Sequence, residues 1–80
     1  MTVLYFAATR DVVGRAEERM TLPAGVDTVG RFRAHLEAVV PDLAGRLGSV
    51  RIARNEEFAS DADGVHDGDV LALVPPVAGG

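Results

Sequence analysis

Cysteine is absent from this chain of 80 residues, which removes disulfides, thiolate metal sites and a cysteine nucleophile from the available chemistry. Lysine is absent as well: every one of the eight basic residues is arginine. Copies of the chain cannot be joined through lysine ε-amines, which counts against a polymerising tag. An arginine-favouring codon bias, beside abundant Ala, Gly and Val, is the simpler cause. No apolar stretch approaches the roughly 20 residues that span a bilayer, and Met1-Thr2-Val3-Leu4 lacks the basic start of a signal peptide. Cytoplasmic residence is the default expectation. Gly14, Gly25, Gly30, Gly45 and Gly48 never fall into GxxxxGK or GxGxxG, so the chain is not expected to bind ATP itself. A surplus of cations is missing too: the formal charge of -4 argues against nonspecific nucleic-acid binding, where clustered cations replace counterions around phosphates.

What is present suits one small folded unit. Nearly half of the residues are apolar (48%) and a quarter are charged, the balance of a globular chain rather than a disordered one. At this length there is one core, near the lower size at which a core sustains itself, and no room for separate catalytic and substrate domains. Val3-Leu4-Tyr5-Phe6-Ala7 predicts a first strand over 2–8. Thr9 to Gly14 reads as a long loop, and Glu17-Glu18-Arg19 leads into Met20-Thr21-Leu22 as a second strand stopped by Pro23 and Gly25. Asp27 or Thr28 caps a helix in which Val29, Phe32, Leu36, Val39 and Val40 form one stripe. Pro41 ends it near Val39 or Val40, and Asp42 to Leu47 adds a short turn. Val50 to Arg54 predicts a strand, Asn55-Glu56-Glu57 a turn, and Phe58-Ala59 a short edge element. Val70-Leu71-Ala72-Leu73-Val74 is apolar on both alternating faces, as expected of a strand buried from two sides. The order predicts an α+β domain with one main helix across a mixed sheet of four or five strands.

Candidate catalytic side chains are few. His35 sits on the predicted helix and His66 in an acidic turn, neither beside a nucleophile in a recognisable motif, so both read as structural or solvent-facing. Ser60-Asp61-Ala62-Asp63-Gly64 is rich in oxygen ligands, but it lacks the length, spacing and closing glutamate of an EF-hand loop and reads as a solvated turn.

The chemistry then falls on the ending Pro75-Pro76-Val77-Ala78-Gly79-Gly80. Two final glycines leave a terminal carboxylate unshielded and allow an approach that any Cβ would block. Residues 75–80, fully extended, reach about 20 Å at roughly 3.3–3.6 Å per residue, enough to cross the wall of a partner's active site. Pro75 and Pro76 restrict the base of this stalk and reduce the freedom lost when it docks. A terminal carboxylate, with an ordinary pKa of roughly 3.5, is ionised and a poor electrophile. Another protein must activate it: adenylyl transfer from ATP makes Gly80 a mixed anhydride, and attack by sulfur leaves a thiocarboxylate. The expected division is a folded domain over 1–74 and a flexible tail over 75–80.

Beside this reading stands a resemblance over nearly the whole chain. Val3-Leu4-Tyr5-Phe6-Ala7, Arg10-Asp11 followed by Gly14, Val29 and Leu36, Asp67-Gly68-Asp69 and above all the ending from Pro75 to Gly80 resemble the small subunit of molybdopterin synthase, a family of ubiquitin-like β-grasp sulfur carriers. Members often carry aromatic residues before Pro-Pro, where this chain has Leu73-Val74.

The resemblance implies that a ubiquitin-activating-like adenylyltransferase, using ATP and magnesium, adenylates Gly80, and that sulfur arrives through a persulfide donor. The charged tail then enters the large synthase subunit and gives sulfur to cyclic pyranopterin monophosphate, in an assembly expected to be a heterotetramer. Two carriers are consumed per dithiolene, and the catalytic side chains belong to the large subunit. Gly80 is then the reacting residue, Gly79 provides clearance, Ala78 keeps the tip narrow, and Val77, Pro76 and Pro75 position it. No cofactor or metal is expected on this chain, and neither nucleic acid nor membrane is an expected partner. The alternatives are a sulfur carrier for thiamine thiazole or cysteine synthesis, and a noncatalytic β-grasp interaction module or protein modifier. Pro75-Pro76 and the segment from Arg10 to Gly14 favour molybdopterin.

Overall fold

The computed structural model describes residues 1–76. Strand β1 (Thr2–Tyr5) is followed by helix α1 (Ala7–Val13), strand β2 (Glu17–Arg19), helix α2 (Val29–Val39), a single 3-10 turn (Pro41–Leu43), and strands β3 (Arg51–Arg54), β4 (Glu57–Ala59) and β5 (Val70–Val74). Among the described residues these strands make one sheet in the order β2-β1-β5-β3-β4. The central pair β1 and β5 is parallel, with Val3 beside Leu71 and Tyr5 beside Leu73; the remaining pairs are antiparallel. This is the expected α+β architecture, a mixed sheet crossed by one main helix, with a second, shorter helix added. No described helix is long and apolar enough to cross a membrane.

Period two in the strands divides the sheet. Val3, Tyr5, Ile52, Leu71 and Leu73 point to one face and are buried against Val29, Phe32 and Leu36 of α2, with Leu43 and Leu47 closing one end. Removing the side chain of one such residue, as in Leu36→Ala, would cost roughly 2–5 kcal/mol. Thr28 caps α2 through a 3.2 Å bond that its hydroxyl accepts from the Arg31 N–H. The Val29 and Gly30 amides donate to the Asp63 and Asp61 carbonyls at 2.8 and 2.9 Å, so the 60–64 loop caps the same helix end. Gly30 permits this approach: a Cβ there would lie 3.1 Å from the Asp61 Cβ.

The structure corrects several boundaries. The segment read as a loop from Thr9 to Gly14 is mostly α1, capped at its end by Gly14 at φ 82, whose N–H donates to the Arg10 carbonyl at 2.8 Å. Strand β1 stops at Tyr5 instead of Ala8 because the chain turns at Ala7, which has φ 49. Strand β2 covers Glu17–Arg19 and not Met20 to Leu22: Met20 exchanges bonds with Met1 at the start of the chain, and beyond it the Leu22 N–H donates to Asp67 Oδ1 at 3.2 Å. The helical stripe includes Val29, Phe32 and Leu36, but Val39 is 51% exposed. The short turn expected over Asp42 to Leu47 is the 3-10 turn, one residue earlier in its start. The 60–64 acidic residues close the loop: Asp63 Oδ2 accepts from the Ser60 N–H at 2.8 Å, and Asp61 pairs with Arg33 at 3.2 Å.

Candidate tail-docking site

Strand β5 lies at the centre of the sheet and carries the chain out of the fold. Its last residue, Val74, sits opposite Arg51 of β3, and Pro75 and Pro76 follow directly. Val77, Ala78, Gly79 and Gly80, the positioning and reacting residues expected from the sequence, lie outside the described residues. Two surfaces flank the exit, one on each side of the sheet.

On the helix side, Pro75 and Pro76 form one wall of a groove of about 350 Å³, with Thr9 and Val12 of α1, Leu43 and Val50 among its other lining residues. The groove exists because α1 stands where a loop was expected. Phe6, at the N-cap, has no oxygen with which to cap α1; Thr9 does so from within the first turn, its hydroxyl accepting from the Phe6 N–H at 3.1 Å and donating to the Phe6 carbonyl at 2.7 Å. Thr9 is buried, and no signal separated it from the polar start of a loop.

The other face of the sheet is open. Leu4, Val70 and Ala72, together with Phe6, border a depression there of about 430 Å³, and Phe6 and Val70 are 47% and 38% exposed. Strand β5 is thus buried on one face only, through Leu71 and Leu73, which corrects the expectation of burial from two sides. Leu71 and Leu73 are core, and Phe6 is surface. On the same face the Arg51 guanidinium lies 3.7 Å from the centre of the Phe58 ring, in a cation–π contact, with Phe58 itself 53% exposed. Exposed aromatic and aliphatic groups gathered on one face are the composition of a protein–protein contact surface.

A polar latch fixes the far end of β5. Asn55, in the turn between β3 and β4, exchanges backbone and side-chain bonds with Val70: its N–H donates to the Val70 carbonyl at 2.8 Å, and its Oδ1 accepts from the Val70 N–H at 2.9 Å. Its Nδ2 donates to Asp69 Oδ1 at 3.0 Å, while Asp69 Oδ2 accepts from the His66 N–H at 2.8 Å. Partial burial works against ionisation of Asp69, yet these two bonds outweigh it and hold the carboxyl below its usual range. The His66 side chain is solvent-facing, with its Nδ1 3.8 Å from Asp69 Oδ2. No cluster of histidine, cysteine or carboxylate side chains suited to a metal occurs among the described residues.

A β-grasp sheet with its helix on one face, an open apolar face on the other and a proline-stiffened exit from the central strand defines a ubiquitin-like protein. The ThiS family matches residues 3–80, and the chain belongs to that family. It is 35% identical to the molybdopterin synthase sulfur carrier subunit of Chlamydomonas reinhardtii over 98% of this chain and 95% of the relative. Among solved structures, SAMP1 from Haloferax volcanii superposes with a TM-score of 0.83 at 31% identity, covering 99% of this chain and 97% of that one. The complex of subunits 1 and 2 of molybdopterin-converting factor from Helicobacter pylori contains a chain that matches with a TM-score of 0.69 at 26% identity, covering 99% and 96%.

Proposed function

We propose that this protein is the sulfur-carrying small subunit of a molybdopterin synthase, and that Gly80 is the residue that bears the sulfur. The observation that carries this reading is the ending Pro75-Pro76-Val77-Ala78-Gly79-Gly80, issuing from the central strand of a ThiS-family domain. The cycle needs an adenylyltransferase partner that uses ATP and magnesium. The Gly80 carboxylate attacks the α-phosphate of ATP and expels pyrophosphate; a persulfide sulfur then displaces AMP, and reduction of the S–S bond by a thiol leaves the thiocarboxylate. The large synthase subunit receives the tail and directs its sulfur onto cyclic pyranopterin monophosphate, two carriers serving each dithiolene. Catalytic side chains are supplied by that subunit. The work of this chain is to present Gly80 on a narrow stalk, with Gly79 and Ala78 giving clearance and Val77, Pro76 and Pro75 aiming it.

The relative named as a sulfur carrier subunit and the two-subunit complex both support a large-subunit partner. The test is the intact mass of the protein after incubation with ATP, a sulfur donor and the activating enzyme, followed by molybdopterin formation with the large subunit. Replacement of one terminal oxygen by sulfur and formation of product are expected. Product formation that persists at the normal rate after deletion of Gly80 would end this reading, and thiazole formation in place of molybdopterin would move the carrier to another pathway.

A further inference from the structure

Arg46 and Arg51 stand on opposite sides of the tail exit, and neither has a carboxylate within ion-pair distance among the described residues. Arg46 lines the groove that Pro75 and Pro76 help to form; Arg51 faces Val74 across the sheet and is held over Phe58. Arg15, Arg31 and Arg33 are engaged with Glu18, Asp27 and Asp61, and Arg54 donates to the Gly64 carbonyl at 2.6 Å; Arg10 and Arg19, like Arg46 and Arg51, are without an ion pair among the described residues. Asp42 shares a neighbouring depression with Arg46 without pairing to it, and the Glu37 carboxylate is taken up by the Gly45 and Leu47 amides at 3.3 and 3.2 Å. A chain with twelve acidic and eight basic residues thus leaves two cations without a carboxylate partner where its tail departs. The groove floor beside Arg46 is apolar, with Val12, Leu43 and Val50 in its lining.

We propose that this groove is a second docking point for the large synthase subunit, filled by an aliphatic side chain from the rim of that subunit's active site, with a carboxylate beside it for Arg46. The inference rests on the proposed function, because a protein that takes in the tail must bring its rim against the surface from which the tail leaves. Charge complementarity selects the carboxylate, and the apolar floor selects the aliphatic neighbour. Arg51, on the other side of the exit, adds a second attraction to the same acidic rim. The tail supplies the chemistry, and the groove supplies register, setting how far the stalk reaches.

The test uses the full chain and its purified cognate large subunit, with affinity measured by titration calorimetry at about 50 mM and about 500 mM salt. Arg46→Glu is expected to weaken association about tenfold or more at low salt, with the deficit shrinking at high salt. Ser49→Trp, an exposed position lining the same groove, fills it without changing charge and is expected to weaken association at both salt concentrations. Urea midpoints near that of the unmodified protein establish that both variants fold, and thiocarboxylate loading followed by intact mass is expected to stay normal in both. Unchanged affinity in both variants overturns the proposal. So does a loss confined to loading, which would assign the groove to the activating enzyme. A chain lacking Gly79 and Gly80 separates the two claims: if it still supports sulfur transfer, the carrier reading falls whatever the affinities of the groove variants.

Discussion

Thr9 Oγ1 donates to the Phe6 carbonyl at 2.7 Å and accepts from the Phe6 N–H at 3.1 Å, so one hydroxyl closes both ends of the turn that joins β1 to α1. That turn contains Ala7 at φ 49, a left-handed conformation that costs energy for a residue with a Cβ. The hydroxyl offsets that cost and fixes Phe6 on the open sheet face. Thr9→Ala should lower stability by about 1–2 kcal/mol, through a lost cap and an unpaired, partly buried amide at Phe6, whereas Thr9→Ser should recover most of the loss. Urea unfolding of the two variants measures the difference. Equal midpoints for Thr9→Ala and the unmodified protein would show that the turn needs no such support.

Tyr5 makes a testable link between the core and edge strand β2. Its ring is buried, and its hydroxyl donates to Glu18 Oε1 at 2.9 Å. Burial, followed by the bond to Glu18 and that residue's negative charge, pushes the phenol well above its ordinary value near 10. The folded state therefore keeps its proton where the unfolded chain releases it. The contribution is fully present below the unfolded pKa and declines as pH rises above about 10. Since Tyr5 is the only tyrosine, an alkaline titration read by tyrosinate absorbance should show ionisation and unfolding together. Tyr5→Phe should remove the coupling, at a cost of about 1 kcal/mol near neutral pH. Tyrosinate forming while the fold remains intact would contradict this account.

Acid should expose a different latch. Asp69 is held below its usual range despite partial burial, by the bonds from Asn55 Nδ2 and the His66 N–H. A carboxyl depressed in the folded state stabilises above its unfolded pKa, and that stabilisation fades as pH falls through the folded value. Stability measured from about pH 6 down to about pH 2 should therefore drop less steeply in Asp69→Asn than in the unmodified protein. The variant should start lower at neutral pH, because the charge-assisted bonds are gone. Parallel curves across the whole range would mean that Asp69 does not set the acid limb.

The strands were legible where pattern and burial agree. Val3 and Tyr5 alternate with Leu4, Ile52 follows Arg51 in a strand that ends at Arg54, and the final apolar run was long enough to identify β5. Asp27-Thr28 announced the start of α2, with the structure choosing Thr28 as the cap, and Pro41 announced its end. The short helix α1 was hidden because Phe6 is no helix cap and Asp11-Val12-Val13 has weak helical preference; its stability comes from Thr9 and from Val12 and Val13 packing on the core, a tertiary effect that local pattern does not carry. The open face of β5 was illegible for a related reason. Leu71 and Ala72 are both apolar, so alternation cannot say which face meets α2, and only the sheet order settles it. The tail motif and the family were readable from sequence, and the groove beside the tail was not, because it depends on α1 standing next to Pro75 and Pro76.

The described core ends before the tail begins. Among the described residues the last buried apolar side chain is Leu73; Val74 and Pro75 are half-buried, and Pro76 is exposed. A chain cut after Pro76 thus retains every β5 pairing with β1 and β3, as well as the Asn55 latch at the other end of the strand. Its urea midpoint should match that of the full chain, with a stability change within about 0.5 kcal/mol, the range of surface substitutions. Sulfur transfer, if Gly80 bears the sulfur, should fall to background in the same molecule. The paired result separates handle from reagent, because a folding defect would lower both measurements and a lost acyl group only the second. A large fall in the midpoint would mean that residues after Pro76 contribute to the core, and the division between a self-sufficient domain and a chemically active stalk would then have to be abandoned.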